Sequence, residues 1–198
     1  SPALASGTGV FDPAVDAAGV YTYTVIGTAP CVDATATVTV TVVAQPDAGA
    51  PGALTTCDNS ANIDLFGQLG GTPDAGGTWS PAMTSGSGVF DPAADAAGVY
   101  TYTVVGGASC PTATATVTVT VNPAPDAGTP GSITLCDVDP STVLFASLGG
   151  TPDGGGSWSP ALASGTGVFD PAVDAAVVYT YTVIGTAPCV DATATVTV

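Results

Sequence analysis

Hydrophobic and polar residues alternate strictly in two stretches of the chain. In GVYTYTV (19–25) the Tyr and Val side chains fall on one face of an extended strand and the threonines on the other. In ATATVTVTV (34–42) the same alternation separates Ala and Val from Thr. A period of two in β-branched and aromatic residues, bounded by Gly, Pro and Asp, predicts β-strands. We expect these two stretches to be neighbouring strands whose aromatic and aliphatic face is buried.

This pair of stretches occurs three times along the chain. The cysteines that follow the Tyr strands, Cys31, Cys110 and Cys189, are spaced 79 residues apart. A period of this length is typical of tandem copies of one small domain. The prediction is a C-terminal half repeat in 1–43 and complete repeats in 44–121 and 122–198. The front half of the first repeat lies on a longer chain in the simplest explanation, and a second chain donates it in the alternative.

Each complete repeat carries roughly seven short apolar runs with turn signals about every ten residues, which is typical of an antiparallel β-sandwich. The order Cys, Trp, Tyr-x-Tyr, Cys resembles the immunoglobulin-like plan. The fold class predicted is therefore all-β, with tandem Ig-like antiparallel sandwiches of 79 residues. Large rings are the expected core anchors because few other side chains fill so small a core. They are Trp79, Trp158, Tyr21, Tyr23, Tyr100, Tyr102, Tyr179 and Tyr181.

Five cysteines offer covalent support for small cores that would be marginal alone. Cys57 and Cys110 are 53 residues apart, as are Cys136 and Cys189, so the economical pairing is one disulfide within each complete repeat. Cys31 then has its partner outside this segment. A bridge over such a loop contributes about 4 kcal/mol in the loop-entropy model. Paired cysteines in small repeats also predict an oxidising, extracellular location.

The charge of the chain is extreme in one direction. All sixteen acidic groups are Asp, and Lys, Arg, His and Glu are absent, so the net charge is −16. Nucleic acid and anionic membrane surfaces are therefore excluded as partners. No uninterrupted apolar run reaches spanning length, and we expect no membrane insertion. General acid–base and triad chemistry lack their usual residues, so we do not expect an enzyme.

Aspartates in loops are the weak metal candidates. Asp12 with Asp16 recurs as Asp91 with Asp95 and as Asp170 with Asp174, each pair bracketing a Pro-containing loop. Such oxygens suit Ca²⁺, yet Asp at these places is also the ordinary residue for turns, and no EF-hand spacing is present. The turn interpretation is preferred, with no cofactor expected. The Thr rows of the last strand could bind sugar or ice, but Thr on a wet strand face is also common.

The whole chain resembles a known repeat type. DLFGQLGGTPDAGGTWSPAMTSGSGVFDPAADAAGVYTYTV, followed by Cys and ATATVTVTV, is similar to the tandem repeats of very large surface proteins from gliding bacteria, the kind that end in a gliding-motility-associated C-terminal domain. The resemblance implies Ig-like or PKD-like sandwiches, export by a type IX route, and a place on the cell surface or in an extracellular filament.

These observations lead to one functional expectation and one rival. The first is a structural extracellular protein whose repeats form a stalk or filament that supports adhesion or surface assembly, with copies of the same chain as partners. The rival is an adhesin module that binds carbohydrate or another surface, with surface glycans as partners. Exposed aromatic rings in a groove would favour the rival.

Overall fold

The chain folds into β-sheets in the computed structural model, which describes residues 3–5, 7, 9–86, 88–107, 109–165 and 167–198. The all-β class is confirmed. In this part of the chain, the helices are two 3-10 turns, Phe66–Gln68 and Leu144–Ser147, and no helix is long and apolar enough to cross a membrane.

The strands follow the sequence repeats, which we call the first (1–43), middle (44–121) and last (122–198) repeat. The first repeat contributes two strands, β1 (Gly19–Val25) and β2 (Ala34–Val40). The middle repeat contributes β3 (Gly52–Cys57), β4 (Ile63–Asp64), β5 (Thr78–Ser80), β6 (Val89–Phe90), β7 (Gly98–Val104) and β8 (Ala113–Asn122). The last repeat contributes β9 (Gly131–Ser132), β10 (Thr142–Val143), β11 (Ser157–Ser159), β12 (Val168–Phe169), β13 (Val178–Val183) and β14 (Ala192–Thr197).

Each of the middle and last repeats forms one four-stranded and one two-stranded sheet. The strand orders are β3-β8-β7-β5 with β4-β6, and β9-β14-β13-β11 with β10-β12. Among the described residues of the first repeat, β1 pairs only with β2. The described residues thus give six strands to each of these two repeats, where the turn signals predict roughly seven.

One pairing departs from the antiparallel expectation. The first strand of the middle repeat, β3, runs parallel to β8, with Gly52 opposite Val117 and Cys57 opposite Asn122. The last repeat has the same feature, because β9 runs parallel to β14. The C-terminal ends of the first and last strands therefore lie side by side, at the end of the sheet where the chain leaves the repeat.

A separate core fills each of the middle and last repeats. In the middle repeat, Leu65 and Phe90 from the small-sheet side pack with Tyr100, Tyr102 and Val117 from the large sheet. In the last repeat the equivalent residues are Leu144, Phe169, Tyr179, Tyr181 and Val196. Alternation along the strands produces this arrangement, since Tyr, Ala and Val face the core and Thr faces away.

Candidate functional site at the junction between repeats

The two cysteines of one repeat lie at opposite ends of its large sheet. Cys57 ends β3 opposite Asn122, at the C-terminal end of β8, whereas Cys110 precedes the N-terminal end of β8 at Ala113. A ten-residue strand spans roughly 30 Å. A disulfide requires Cα atoms within about 7 Å, so these two cysteines cannot bond without unfolding the sheet.

The predicted pairing within repeats is therefore wrong. Cys57 is bonded to Cys189 of the last repeat, with Cα atoms 5.4 Å apart. Cys110 and Cys136, the other members of the predicted pairs, are free, and so is Cys31. We call Cys57 and Cys136 the front cysteines and Cys31, Cys110 and Cys189 the back cysteines. The first and last strands of a repeat are parallel, so the front cysteine lies at the end of the sheet where the chain leaves the repeat. The back cysteine lies at the opposite end, where the chain enters.

The bond joins consecutive repeats at the point where the peptide chain also joins them. Asn122 is the last residue of β8, and its side-chain Nδ2 donates a hydrogen bond to the Ala187 carbonyl at 2.8 Å. The Cys189 sulfur lies 3.6 Å from the Asn122 carbonyl oxygen. The loop between β13 and β14 thus sits directly on the end of the middle repeat, held by one covalent and one polar contact.

The linker after Asn122 is tied down on both sides of the junction. On the middle repeat, Ala124 N–H donates to Asp58 Oδ1 at 3.0 Å. On the last repeat, Asp126 N–H donates to Asp153 Oδ2 at 2.9 Å, and Asp153 N–H donates back to the Asp126 carbonyl at 2.7 Å. A linker held in this way sets the relation of two repeats more firmly than its Pro and Gly content alone would.

The junction between the first and middle repeats shares the cysteine position and the linker contacts, since Asp47 N–H donates to Asp74 Oδ2 at 2.9 Å, but it has neither the disulfide nor the Asn side-chain hydrogen bond. The free Cys110 thiol donates toward the Val43 and Ala44 carbonyls at 3.6 and 3.7 Å. Val43 is one period before Asn122, and Cys110 one period before Cys189. The back cysteine therefore takes the same position in both junctions, although only one of them contains a front cysteine among the described residues.

The expected core anchors of the two six-stranded repeats lie in or against the cores. Tyr100, Tyr102, Tyr179 and Tyr181 are buried, while Trp79 and Trp158 are half-buried and pack on the clusters. The Tyr102 hydroxyl accepts from Gly77 N–H at 2.8 Å and donates to the Asp74 carbonyl at 2.7 Å. A Cβ at Gly77 would meet the Tyr102 ring at 2.5 Å, which explains glycine there.

Tyr21 and Tyr23 depart from that expectation. Tyr21 is half-buried and stacks edge-on against Phe11, with ring centroids 5.9 Å apart. Tyr23 is 71% exposed, whereas its counterpart Tyr181 is 2% exposed. The cause is the cover: Trp158 and Phe145 pack on Tyr181 with centroids 5.0 and 5.4 Å away, and the described part of the first repeat holds no Trp or second Phe.

The candidate calcium ligands act as loop caps. Asp95 accepts backbone hydrogen bonds from Thr84 at 2.6 Å and Asp91 at 2.8 Å, and Asp91 accepts from Ala93 at 3.0 Å. Asp174 with Asp170 and Asp16 with Asp12 repeat the arrangement. Among the described residues there is no group of three or more His, Cys, Asp or Glu able to hold a metal ion.

Two ionisable groups in this region have shifted pKa values. Burial raises the pKa of Tyr100, and the nearby Asp95 charge adds to the effect. Burial works in the same direction on Asp95, but hydrogen bonds from Asp91 and Thr84 outweigh it and lower the pKa of that carboxyl. The lowered pKa means that Asp95 stays ionised to a lower pH than an Asp without these hydrogen bonds.

A groove beside the half-buried Trp is present in both six-stranded repeats. In the middle repeat its volume is about 580 Å³, and Trp79, Phe66, Met83 and Tyr102 are among its lining residues. The equivalent groove beside Trp158 has a volume of about 540 Å³. Trp79 also packs against the core cluster, and a Cβ at Gly88 would lie 2.9 Å from its indole nitrogen. The ring therefore belongs to the core as well as to the groove.

Sequence reasoning missed the role of Asn122 and the partner of Cys57. The spacing of 132 residues from Cys57 to Cys189 occurs once among the five cysteines, whereas the spacing of 53 residues occurs twice, and no local pattern marks the former as the bonded pair. Comparison of the chain with known protein families, with curated proteins and with solved structures finds no match.

Proposed function

We propose that this chain is a structural extracellular protein in which disulfide-linked repeats build a stalk or filament on a bacterial surface. The observation that carries the proposal is the Cys57–Cys189 bond, which joins consecutive repeats beside the peptide linker. A covalent clamp between neighbouring repeats limits their relative movement, which suits a chain whose working property is its length and stiffness.

The junction supplies that stiffness by combining three kinds of restraint. The disulfide prevents separation, the Asn122 to Ala187 hydrogen bond fixes the loop against the strand end, and the Asp126 and Asp153 contacts hold the linker. A disulfide closing a loop of this size contributes about 5 kcal/mol in the loop-entropy model. Two repeats so connected would bend far less than beads on a flexible linker.

Other features of the chain agree with this role. Tyr100 and Tyr179 donate their hydroxyl protons to carbonyls four residues upstream, Ala96 and Ala175, both at 2.8 Å, which resembles the tyrosine corner of immunoglobulin-like sandwiches. We therefore assign each complete repeat to an Ig-like or PKD-like sandwich. The uniform negative charge limits nonspecific clumping of such a chain. The proposed surface location rests on the resemblance of the repeat sequence, described above, to repeats of gliding-bacterium surface proteins.

The test is small-angle scattering of the full chain with and without the clamp. Cys57→Ser should broaden the distribution of interatomic distances, because the freed junction samples more arrangements, and should lower the free energy of unfolding by about 2–5 kcal/mol. Cys136→Ser is the matched control, because it removes the same kind of cysteine without a bond. Unchanged scattering and stability in Cys57→Ser would refute the stiffening role.

The rival function is glycan binding in the repeated grooves. Half-exposed Trp79 and Trp158, each with a Phe and a Tyr, line grooves of a size that could take one or two sugar rings. The tight packing of Trp79 on Tyr102, with ring centroids 5.0 Å apart, favours a core role instead. A glycan array probed with the full chain and with a Trp79→Ala variant distinguishes the two functions. Binding of the full chain to a glycan that the variant does not bind would favour the rival.

A further inference from the structure

The β1–β2 hairpin of the first repeat presents an apolar face that the rest of the described chain leaves exposed. Tyr23, Val25, Ala36 and Val38 lie on this face, and the exposed fractions of Tyr23 and Val38 are 71% and 63%. A hollow of about 550 Å³ lies over it, lined in part by Leu4, Tyr21, Tyr23 and Val38. The face and the hollow form one site, which we call the open hairpin.

The last repeat shows what covers the same hairpin when it is buried. There β9 runs parallel beside β14, β11 runs antiparallel beside β13, and Leu144 lies under the rings with no exposed surface. All these elements come from one stretch, residues 122–159, which we call the front-half segment. With this cover Tyr181 and Val196, the counterparts of Tyr23 and Val38, are 2% and 0% exposed.

A free thiol lies where such a segment would end. In the middle repeat the front cysteine sits opposite Asn122, and the back cysteine that it bonds lies 3.6 Å from the Asn122 carbonyl. In the first repeat the position of Asn122 is taken by Val43, and the Cys110 thiol lies 3.6 Å from its carbonyl. A front cysteine brought beside β2 in the same register would therefore meet Cys110, not Cys31.

We propose that the open hairpin binds a further front-half segment of this repeat type and that Cys110 forms a disulfide with the cysteine of that segment. The occupant has a defined chemistry. It has a strand ending in Cys to run parallel to β2, a Leu-Phe turn to fill the hollow, and a Ser-Trp-Ser strand to pair with β1. The inference deepens the proposed function by naming the partner of one junction, and it rests on that function.

The covalent step is a thiol–disulfide exchange. When the segment's cysteine is carried as a mixed disulfide with glutathione, the Cys110 thiolate attacks the segment's sulfur. The new sulfur–sulfur bond forms as the old one breaks, and glutathione leaves as its thiolate. No further oxidant is needed, because the mixed disulfide already holds the two oxidising equivalents.

The experiment uses the full chain with its Cys57–Cys189 bond intact and a synthetic peptide of the sequence 122–159 in which Cys136 carries glutathione. Peptic fragments are mapped by mass spectrometry, since the chain has no Lys or Arg for trypsin. We expect the peptide to couple to Cys110 at least tenfold faster than to Cys31 or to Cys136 of the chain. Cys110→Ser should abolish coupling, and Cys31→Ser should leave it unchanged.

A second measurement separates docking from thiol reactivity. A peptide with Cys136→Ser cannot couple but should still slow amide exchange of the β1–β2 hairpin, and a scrambled peptide should not. Tyr23→Asp in the chain should remove this protection. Equal labelling of the free thiols, absence of protection, or disulfide dimers of the chain without peptide would overturn the proposal. The Cys57→Ser scattering test concerns the other junction, so either result can fail alone.

Discussion

The first and last repeats contain the same hairpin in two environments. From Val20 onward the residues of β1 and β2 are identical to those of β13 and β14, with Gly19 replaced by Val177 just before β13. Both pairs adopt the same register, with Tyr23 opposite Ala36 and Tyr181 opposite Ala194. Yet Tyr181 is buried and Tyr23 is exposed. Alternation of apolar and polar residues therefore accounts for the strand and its two faces. Burial of Tyr181 depends instead on residues far from it in sequence, such as Trp158 and Phe145, which lie 23 and 36 positions earlier in the chain.

The difference can be measured by making one substitution at both places. Tyr181→Ala should lower the free energy of unfolding by about 3–5 kcal/mol, as expected for a large buried ring. Tyr23→Ala should change it by less than about 0.5 kcal/mol, as for a surface residue. Urea unfolding of the full chain, followed by far-ultraviolet circular dichroism, gives both values because this signal comes from the strands of all three repeats, whereas both Trp residues lie outside the first repeat. If Tyr181→Ala does not fold, Tyr181→Phe still tests the site, because it loses the hydroxyl contacts to Gly156 and Asp153. Equal losses of unfolding free energy at Tyr23 and Tyr181 would contradict the conclusion that one hairpin is exposed and the other buried.

A smaller effect is expected from the other tyrosine of each hairpin. Tyr179→Phe deletes a buried hydroxyl that donates to the Ala175 carbonyl, and should cost about 0.5–1.5 kcal/mol. Tyr21→Phe deletes the same contact to Ala17 at 2.6 Å, but in a half-exposed place where water can replace it. We expect less than about 0.5 kcal/mol there. Matching losses in the same urea assay would show that the first hairpin is as well covered as the last.

The smallest expected effect is a loss of stability at alkaline pH, caused by the buried tyrosines of the middle and last repeats. Burial, with a lesser contribution from the charges of Asp95 and Asp174, raises the pKa of Tyr100 and Tyr179 above 10.0. The folded state then holds these protons more tightly than the unfolded state. Their contribution is complete below the unfolded value and is lost as pH rises through the folded one. Melting temperatures measured from about pH 9 to about pH 11 should fall, and less steeply in a Tyr100→Phe, Tyr179→Phe double variant. Equal slopes would contradict the assignment.

The sequence predicts where the strands lie, but it does not predict the relative direction of distant strands or which copy of a strand is buried. GVYTYTV and ATATVTVTV predict β7 and β8 correctly because the alternation is local. The direction of β3 relative to β8 has no local signature, and it decides whether Cys57 faces Cys110 or the next repeat. The exposure of Tyr23 is equally invisible, since its neighbours in sequence are those of Tyr181. The caps formed by Asp95 and Asp174 were the preferred interpretation of those loops, and the hydrogen bonds agree with it.

The disulfide between Cys57 and Cys189 also determines the path of mechanical tension. When the chain is pulled from its ends, the load passes through the sulfur bridge and bypasses the residues between the two cysteines, a separation of 132 positions. Fully extended, that stretch would span roughly 430–480 Å. This length is stored behind the bond while it is oxidised and becomes available when it is reduced. The redox state of one cysteine pair would thus set how far the chain can lengthen under tension, because the residues between Cys57 and Cys189 add to its extension only when the bond is reduced.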